Sequence, residues 1–404
     1  MKILYHHRIG SRDDGQLVHI QELVAALERR GHDVLVIGPS VTDTSKASGA
    51  RIAFIVWLKK WLPKAVYETL EFFYSFGDYL RLSRAIKAFA PDLIYERYNL
   101  FWPSGIWARR RFAIPLILEV NAPLYAERSR YGGLALKPLA RWTERACWRG
   151  ADRVVTVTEV LRRQIEADGV PRHRISVTPN GVNFDRFPDA IDRDAAKRRL
   201  KLENKLVLGF VGYAREWHGL DRVLDVMAAN RQRNLFFLLV GGGSALPSLR
   251  RLAARMNLED RVRFVDFVEH EKVVEYLHAF DIALQPAVVD YASPLKLLEY
   301  MACRTAIVAP DKENIREILT HEQNALLFQP NDLAGFAAAI DRFCRDPALR
   351  ERLGGAARNT LTERDVTWSH NAAVVETIAC AIMKPERQER RRAIEKKARG
   401  QGIQ

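Results

Sequence analysis

The chain has 404 residues, which is enough for two or three domains of the usual ~100–200 residues. Hydrophobic residues make up 48% of it and charged residues 28%, a composition that excludes a wholly disordered or collagen-like chain. The formal net charge of +14 predicts anionic partners, and acidic lipid, phosphorylated substrates and nucleic acid are all open at this point.

The cysteines and the N-terminal residues indicate the cellular compartment of the protein. The four cysteines are far apart and form no C-x-x-C pair, so neither a disulfide framework nor a zinc cluster is predicted. A reducing compartment is the simplest interpretation, and we expect a cytoplasmic protein. Residues 1–7 contain no long apolar stretch of the kind found in signal peptides, and no apolar run approaches the ~20 residues of a membrane-spanning helix.

In the first half of the chain, short apolar runs alternate with helical patterns, which is typical of a parallel sheet covered by helices. We predict strands at 2–5, 34–37, 93–95, 115–120, 153–157 and 175–177. A helix is predicted over 17–30, with Ile20, Leu23 and Leu27 on one face, and Gly31 ends it.

Two segments carry most of the excess positive charge. Residues 51–111 contain 11 Lys and Arg against 5 Asp and Glu, and residues 384–404 contain 8 against 3. The first segment interleaves aromatic with basic side chains, namely Phe54, Trp57, Trp61, Tyr67, Phe72, Phe73, Tyr74 and Phe76 with Arg51, Lys59, Lys60 and Lys64. This pattern fits a helix in an anionic membrane interface, and equally a helical excursion whose rings pack on their own domain. We expect 384–404 to be a frayed helix or a disordered tail.

A second series of strands begins after residue 200 and predicts a second domain of similar size. We expect its strands at 206–211, 235–240, 262–265, 282–285, 306–309 and 325–328. The polar residues 188–200 have the composition of a linker. The predicted fold class is therefore α/β, with two Rossmann-like doubly wound domains that face each other. Ligands are expected at the carboxyl ends of the strands, in the cleft between the domains.

The segment after the fourth strand of this second series has the pattern of an anion site. Ser293 is a favoured N-cap and Pro294 a favoured first residue, so we expect a helix that opens at Ser293. The backbone N–H groups of Leu295 and Lys296 would then face an anion, beside the Lys296 ammonium. Glu299, one turn further, suits the paired hydroxyls of a ribose. The alternative is an ordinary capped helix with a Lys–Glu ion pair.

A glycine-rich loop, residues 209–219, ends the first strand of the second series and opens a helix. Glycine lets the backbone approach a ligand closely, and Arg215 and His218 are both able to reach phosphate oxygens. The alternative for His218 is a helix-capping or solvated side chain. A run of three glycines at 241–243 follows the next strand, and alone it indicates little.

Taken in order, short blocks of sequence resemble the family 4 glycosyltransferases, retaining enzymes with the GT-B fold, over roughly residues 1–383. In the second half the matching blocks are 179–182, 211–212, 218–220, 239–243, 281–282, 294–302, 307–309 and 367–368. In the first half they are Gly15, 18–23 and 30–34. We divide the chain into an acceptor-side domain 1–185, a nucleotide-sugar domain 186–366, a helix 367–383 that packs back on the first domain, and a basic tail 384–404.

The acidic motif of the family is incomplete in this chain. The family spaces two glutamates eight residues apart, and Glu299 matches the second. Tyr291 occupies the first position, with Asp290 beside it.

Two basic positions of the family also differ. Its phosphate-binding Arg and Lys fall at Tyr213 and His218, and its catalytic-site His falls near Asn121. We interpret these changes as the pattern of a subgroup, in which Arg215 and Lys296 restore the lost charge.

The resemblance implies transfer of a sugar from a nucleotide diphosphate sugar, with retention of configuration, to a glycan or lipid-linked acceptor. Synthesis of a cell-surface polysaccharide or glycolipid is the expected setting, with the protein peripheral at the inner face of the cytoplasmic membrane. Family members generally need neither a metal nor a cofactor. The only D-x-D, formed by Asp192, Arg193 and Asp194, is expected to be a solvated turn in the linker.

We assign a role to each candidate residue from this resemblance and from the chemistry of its side chain. Cations and helix N–H groups should stabilise the leaving diphosphate, and an acid should hold the ribose. The expected catalytic set is Arg215, Lys296, Glu299 and Asn121. The expected donor-binding set is Gly15, with Gly10 beside it, Gly212, His218, Gly242, Ser293, Pro294, Leu295, Lys296 and Glu299. Acceptor-side candidates are Glu119, Asn121, Glu127 and Arg128, whose alternative role is to stabilise loops by hydrogen bonding.

Three other functions stay open. A GT-B sugar-nucleotide epimerase would share the phosphate cradle, and Tyr291 at the first acidic position keeps it the main alternative. A nucleic-acid-binding protein would explain the charge, but no nucleic-acid module is recognisable and we expect no nucleic-acid partner. A catalytically silent scaffold would fit the lost motif residues.

Overall fold

The computed structural model of the chain describes residues 1–9, 15–38, 62–188, 192–230 and 234–383. These residues form two compact units. The first unit contains the described residues of 1–12, 23–178 and 372–404, and the second contains those of 13–22 and 179–371. Neither unit is therefore a single continuous segment of the chain.

Six parallel strands form the sheet of the first unit. They are β1 (Lys2–His6), β2 (Asp33–Ile37), β3 (Leu93–Arg97), β4 (Leu116–Val120), β5 (Arg153–Thr156) and β6 (Ile175–Val177). Their order across the sheet is β2-β1-β3-β4-β5-β6. The six strands predicted in the first half of the chain are confirmed. The order changes direction between β1 and β3, and a doubly wound sheet has its crevice at such a point, at the carboxyl ends of the strands.

Strand β3 runs further than predicted because its charged residues have buried partners. It continues through Glu96 to Arg97, and every residue of the strand is buried. His6 Nδ1 lies 2.7 Å from the Glu96 carboxylate, and Arg97 donates to the Glu119 carboxylate at 2.5 Å. Burial of a charge is tolerated when it is paired in this way.

Helices connect the strands of this sheet. They are α1 (Gly15–Arg29), α2 (Lys64–Phe89), α3 (Ser104–Phe112), α4 (Leu124–Glu127), α5 (Lys137–Gly150) and α6 (Glu159–Ala167), with a short π-helix (Arg128–Gly132) after α4. Of the aromatic and basic segment, the structure describes the part from residue 62 onward. The predicted contributions of Arg51, Phe54, Trp57, Lys59, Lys60 and Trp61 lie outside the described residues, as do the tail 384–404 and Gly10.

The second unit is built on a second parallel sheet of six strands. They are β7 (Leu206–Val211), β8 (Leu235–Val240), β9 (Val262–Val265), β10 (Ile282–Leu284), β11 (Ala306–Pro310) and β12 (Leu326–Phe328). Their order is β12-β11-β10-β7-β8-β9, which is the Rossmann order read from the other edge. All six predicted strands are confirmed, three of them without any difference and three with a difference of one residue at one end. The direction changes between β7 and β10.

Helices also connect the strands of the second unit. They are α7 (Arg193–Leu200), α8 (Asp221–Ala229), α9 (Leu246–Arg255), α10 (His270–Leu277), α11 (Leu295–Ala302), α12 (Glu313–Arg316), α13 (Leu333–Arg345) and α14 (Pro347–Glu363). The last helix, α15 (Trp368–Ile382), contributes residues to both units. No helix in the described ranges is long and apolar enough to cross a bilayer.

The prediction of a linker over 188–200 is wrong. Residues from Arg193 onward form helix α7, and the carboxylate of Asp192 caps it by accepting a hydrogen bond from the Ala195 N–H at 2.8 Å. Arg193 donates to the carbonyl of Arg304 at 2.8 Å. The D-x-D triplet is therefore a capped helix start and not a solvated turn.

Candidate functional site

The strand order brings the two predicted phosphate-binding segments to one point of the second sheet. The loop after β7 begins at Gly212 and contains a short 3-10 helix, Glu216–His218, before α8. The loop after the neighbouring strand β10 leads into α11. Both loops leave the carboxyl ends of their strands at the change of direction, where doubly wound sheets bind ligands.

Backbone packed against backbone forms one wall of this point. The Gly212 N–H donates to the Val240 carbonyl at 2.9 Å, and the Ala214 N–H donates to the Gly242 carbonyl at 2.8 Å. Gly241 has a φ of +125°, and a Cβ added there would lie 2.6 Å from the Gly212 carbonyl oxygen. Only glycine permits this contact, so the loops after β7 and β8 close up to each other. A Cβ at Gly242 would have no atom within 4 Å, so this position borders open space.

Lys296 and His218 converge beside this wall. Lys296 lies in the first turn of α11, and its Nζ is 3.4 Å from Nε2 of His218. The Nδ1 atom of His218 accepts a hydrogen bond from the Arg215 N–H at 3.0 Å, so the neutral ring carries its proton on Nε2. A protonated Lys296 and this Nε2–H are thus two donors side by side. An anionic oxygen between them would accept from both.

Burial adjusts the protonation of this pair. The Lys296 Nζ lies 4.1 Å from the centroid of the Phe210 ring. Burial lowers the pKa of Lys296 to about 7, against the opposing effect of Glu299. Burial also lowers the pKa of His218 to about 2, assisted by the charges of Lys296 and Arg215. The imidazole is therefore neutral at physiological pH, and the amine is poised to take up a proton when an anion arrives.

Arg215 supplies a third basic group on the same loop. Its guanidinium lies 4.9 Å from the centroids of both the Tyr213 and the Trp217 rings. The Arg215 charge also lowers the pKa values of His218 and Lys296, so all three groups belong to one electrostatic cluster. The two rings hold the planar fork in one orientation, which suits bidentate recognition of phosphate.

Glu299 lies one turn after Lys296 on α11. Burial raises the pKa of its carboxyl to about 7, with Arg186 and Lys296 opposing that rise. Arg186 ends a 3-10 helix, Phe184–Arg186, and pairs with Glu22 at 3.0 Å. The ionised form of Glu299 can accept hydrogen bonds from two adjacent hydroxyls, as the sequence predicts for a ribose.

Helix α11 does not open as predicted. It begins at Leu295 with Pro294 in the N-cap position, and no side chain caps it. The Ser293 hydroxyl accepts instead from the Asn180 N–H at 3.3 Å, and the Ser293 carbonyl accepts from the Asn180 amide at 2.6 Å. The N–H groups of the first turn still have no partner within the helix, so the prediction of an anion site there is unaffected.

The incomplete acidic motif has a local explanation. The Asp290 carboxylate pairs with the Lys312 ammonium at 2.6 Å, and the same ammonium donates to the Val288 carbonyl at 2.8 Å. Tyr291 is half-buried. Asp290 is therefore engaged by Lys312, whereas Glu299 is the carboxylate that acts on the pKa of Lys296.

In the first unit, Glu119 and Asn121 follow each other at the carboxyl end of β4. Glu119 is buried and accepts from Arg97 at 2.5 Å, from the Tyr95 hydroxyl at 2.6 Å and from the Asn121 amide at 2.5 Å. These three donors occupy the Glu119 carboxylate, which therefore positions Asn121. Asn121 itself is half-buried.

The remaining predicted residues are distributed between the two units. Gly15 is the first residue of α1. Glu127 ends α4, and Arg128 begins the π-helix, where it pairs with Glu71 at 3.0 Å. In the described residues, no group of three or more His, Cys, Asp and Glu is arranged to hold a metal ion.

Sequence reasoning missed several residues around the donor pair. Phe210 lies under the Lys296 amine, and Asn180 fixes Ser293 while accepting from His19 Nδ1 at 2.7 Å. Phe210 is the penultimate residue of strand β7, and its sequence context predicts a core residue. No local sequence signal therefore distinguishes it from the other buried residues of the strand. Asn180 belongs to the block 179–182. A side-chain amide next to a glycine was the sequence signal that could have identified it as a site residue.

Two family profiles match the chain. The profile described as "Glycosyl transferase 4-like domain" matches residues 14–181, and the profile described as "Glycosyl transferases group 1" matches residues 192–360. Together they cover residues 14–360 except for residues 182–191.

Named relatives agree with these profiles. The alpha-D-kanosaminyltransferase of Streptomyces kanamyceticus is 25% identical over 256 residues, which are 60% of this chain and 65% of that protein. The D-inositol 3-phosphate glycosyltransferase of Geodermatophilus obscurus is 32% identical over 283 residues, 66% of this chain and 62% of that protein. The chain thus spans less than two thirds of the length of these relatives.

A solved structure shares the whole architecture. Anabaena HepE in complex with UDP-glucose aligns with a TM-score of 0.73 at 18% identity, over 93% of this chain and 99% of that one. This likeness, with the two Rossmann-like sheets, confirms the predicted fold class. The chain has the GT-B fold, and its two halves are similar to the glycosyltransferase domains that the two profiles describe.

Proposed function

We propose that this protein transfers a sugar from a nucleotide diphosphate sugar to an acceptor, with retention of anomeric configuration. The observation that carries the proposal is the convergence of Lys296 Nζ and His218 Nε2, 3.4 Å apart, at the change of strand direction in the second sheet. Two adjacent donors beside a glycine wall suit a diphosphate. The complex of Anabaena HepE with UDP-glucose supports a uridine nucleotide as the first donor to try.

The chemistry follows from the charge that develops on the leaving group. As the glycosidic bond to the diphosphate breaks, negative charge grows on the phosphate oxygen. Lys296, His218 and Arg215 donate to that charge, and the first-turn N–H groups of α11 add the positive end of the helix. Glu299 holds the ribose hydroxyls. In this proposal no metal or cofactor takes part.

Retention follows if the acceptor hydroxyl attacks from the face that the diphosphate leaves. The leaving phosphate oxygen then takes the proton of that hydroxyl, so no separate protein nucleophile is required. Asn121 is proposed on the acceptor side, held by Glu119. We propose a glycan or lipid-linked acceptor, in the synthesis of a surface polysaccharide or glycolipid. The transferase names of the matching relatives favour transfer over the epimerase alternative.

A screen of nucleotide sugars for donor hydrolysis, followed by mass spectrometry of products from lipid extracts, tests the activity. We expect Lys296→Ala and Glu299→Ala to lose most turnover, by at least about 100-fold, while keeping the wild-type circular dichroism spectrum. Asn121→Ala should lose less than Lys296→Ala.

Three results would count against this proposal. Near-wild-type turnover of Lys296→Ala would remove the donor site, and interconversion of sugar nucleotides without release of the nucleotide would indicate an epimerase. A larger loss in Asn121→Ala than in Lys296→Ala would give Asn121 the leading role.

We also propose that the protein binds the anionic surface of a bilayer through helix α2, as a cytoplasmic protein at the membrane face. Val66, Leu70, Phe73 and Leu80 lie on one face of α2 and are between 44% and 58% exposed. A Cβ at Gly77, on the same face, would have no atom within 4 Å.

Positive charge accompanies this apolar face. Helix α3 packs on α2 through Trp107 and Phe76, whose ring centroids are 4.8 Å apart, and exposes Arg110 and Arg111 one turn later. Arg110 also lines a cavity of about 550 Å³ that is rich in arginine. Its lining is Arg109, Arg110, Arg149, Gly150, Asp152, Arg153, His173, Arg174, Ala381 and Ile382. An apolar stripe flanked by arginine is the composition of an interfacial helix on anionic lipid.

Co-sedimentation with vesicles tests the membrane proposal. Wild type should pellet with mixed phosphatidylglycerol and phosphatidylcholine vesicles, less so in high salt, and weakly with phosphatidylcholine alone. A Leu70→Glu, Phe73→Glu variant should stay in the supernatant. Leu333→Glu, at an exposed apolar residue of the second unit, is the matched control. Equal pelleting of all three proteins would refute the proposal.

A further inference from the structure

The first unit has its own change of strand direction, between β1 and β3, and basic groups gather beside it. Arg8 lies two residues past the end of β1. Arg128 lies in the π-helix that follows β4 and α4. Both positions are on the carboxyl-end side of the sheet, where a doubly wound domain binds its ligand.

One carboxylate joins these two arginines. Glu71, on α2, lies 3.0 Å from Arg8 Nη1 through one oxygen, and its other oxygen accepts from both Nη atoms of Arg128 at 3.0 Å. The Glu71 side chain is 9% exposed, whereas those of Arg8 and Arg128 are 21% and 27% exposed. Two guanidinium charges against one carboxylate leave the cluster with a net charge of +1.

Aromatic rings fix the orientation of both guanidinium groups. Arg8 lies 5.5 Å from the centroid of Tyr74 and 5.3 Å from that of Trp102, and Arg128 lies 5.4 Å from that of Phe101. Such contacts hold a planar fork in place and leave its edge available for hydrogen bonding. Among the described residues, Glu71 is the only side chain to which Arg8 donates a hydrogen bond.

Tyr67 adds a hydroxyl to the same cluster. It lies one turn before Glu71 on α2. Burial raises the pKa of its phenol and Glu71 raises it further, while Arg8 and Arg128 oppose the rise. All four side chains therefore share one electrostatic environment.

An ion cluster can simply tie a helix to its neighbouring loops. That role needs no surplus charge of either sign. Here the cluster holds one cation more than it has anions, and the surplus sits on two half-buried forks held rigid by aromatic rings. The arrangement suits a phosphoryl group, whose oxygens match the fork of arginine and whose charge the surplus would neutralise.

We propose that Arg8 and Arg128 form a clamp for a phosphoryl group of the acceptor, with Tyr67 beside it. This inference rests on the proposed transferase function, because it names the chemical class of the acceptor in that reaction. The acceptor is a phosphorylated molecule, either a lipid-linked phosphate or a free sugar phosphate. The exposed apolar residues Leu70 and Phe73, next to Glu71 and Tyr74 on the same helix, favour the lipid-linked form.

The test of the clamp is a measurement of ligand binding to the full chain. The protein is first saturated with UDP, so that the proposed donor site is filled. The probes are inorganic phosphate, glucose 1-phosphate and geranyl phosphate, measured by calorimetry. We expect wild type to bind phosphate compounds, and Arg8→Gln and Arg128→Gln to weaken that binding at least about tenfold each. Glu71→Gln should tighten binding, because it removes the anion that competes with the ligand.

A matched control separates the clamp from general charge and from folding. Arg130→Gln changes an exposed arginine of the same π-helix that stacks on Tyr131, and it should bind as wild type does. Tighter binding in Glu71→Gln is a readout that a merely structural ion cluster would not give. Thermal unfolding of each variant shows whether the fold is kept.

The binding results distinguish the source of the phosphoryl group and also show whether the clamp exists. Stronger binding of geranyl phosphate than of the other probes supports the clamp with a lipid source, and equal binding of geranyl phosphate and glucose 1-phosphate supports it with a soluble source. Wild-type affinity in Arg8→Gln and Arg128→Gln, or no binding of any probe by wild type, overturns the clamp. UDP binding is measured first in the same samples, so loss of the proposed donor function would be seen separately.

Discussion

Lys296 is the residue whose protonation the proposed donor site depends on most. In the free protein burial holds its pKa at about 7, well below the ordinary value for lysine. A bound diphosphate favours the charged form and so raises that pKa. Above pH 7, UDP binding must therefore bring a proton with it, and the affinity should fall as pH rises from 7 to 9.

Calorimetry at pH 8 in two buffers of different ionisation enthalpy measures this proton. We expect close to one proton to be taken up by wild type and none by Lys296→Met. Glu299, with a pKa of about 7, is already mostly ionised at pH 8 and contributes little to the count there. Equal uptake in the two proteins would show that another group titrates.

Among the elements of the fold, helix α2 is tied to the first sheet by a buried charge cluster. His6 Nε2 lies 2.9 Å from the Asp78 carboxylate of α2, and His6 Nδ1 lies 2.7 Å from Glu96 of β3. Asp78 also accepts from Trp102 at 2.5 Å and from the Ser104 hydroxyl at 2.7 Å. Burial disfavours the charged His6 ring, but Asp78 and Glu96 outweigh it and raise its pKa to about 9.

This pKa makes the stability of the protein depend on pH in the alkaline range. Because the folded-state pKa of His6 is above its unfolded value of about 6.5, its contribution is complete below pH 6.5 and is lost as pH rises through 9. We expect the free energy of unfolding to fall by up to about 3 kcal/mol between pH 6.5 and 9.5, as measured by urea denaturation. His6→Gln should lack this slope, and an unchanged slope would contradict the assignment.

The strands were predictable from sequence because each is a short apolar run between turn residues. Strand β8, Leu235–Val240, is buried throughout and stands out in any window. Helix α7 was missed because its sequence is mostly charged, with little apolar surface to mark a buried face. The signal that would have identified it was Asp192, an N-cap residue three positions before Ala195.

The grouping of residues in the proposed donor site was predictable from sequence and that in the proposed clamp was not, for a physical reason. Lys296 and Glu299 lie within one turn of a helix, so local geometry relates them. Arg8, Glu71 and Arg128 are brought together by the order of strands in the sheet, at separations of 57 and 63 residues. No local pattern encodes such a cluster, and it appears once the chain is folded.

At the scale of the whole molecule, the interleaving of the chain has a measurable effect. The second unit includes residues of α1, where His19 Nδ1 donates to the Asn180 side-chain oxygen at 2.7 Å. The His19 ring also lies edge-on to Trp368, with centroids 4.8 Å apart. Asn180 in turn fixes Ser293 at the start of α11. A distant segment of sequence thus supports the donor site.

We expect His19→Ala to lower the free energy of unfolding by roughly 1–3 kcal/mol and to weaken UDP binding several-fold. Gln21→Ala, at an exposed position of the same helix, is the matched control and should do neither. Chemical denaturation and calorimetry give the two numbers. A destabilised variant with unchanged UDP affinity would show that His19 supports the fold without supporting the site.

The contact of Gly241 with the Gly212 carbonyl limits how this protein can diverge. A single methyl group does not fit at Gly241, so that position of the wall has no side chain to exchange. Descendants of this sequence that acquire a preference for another sugar must therefore change elsewhere, and Tyr213 and Trp217, which hold Arg215, are exposed or half-buried and have room to vary. The contact between Gly241 and Gly212 therefore leaves changes in the proposed donor preference to other positions of the same loops.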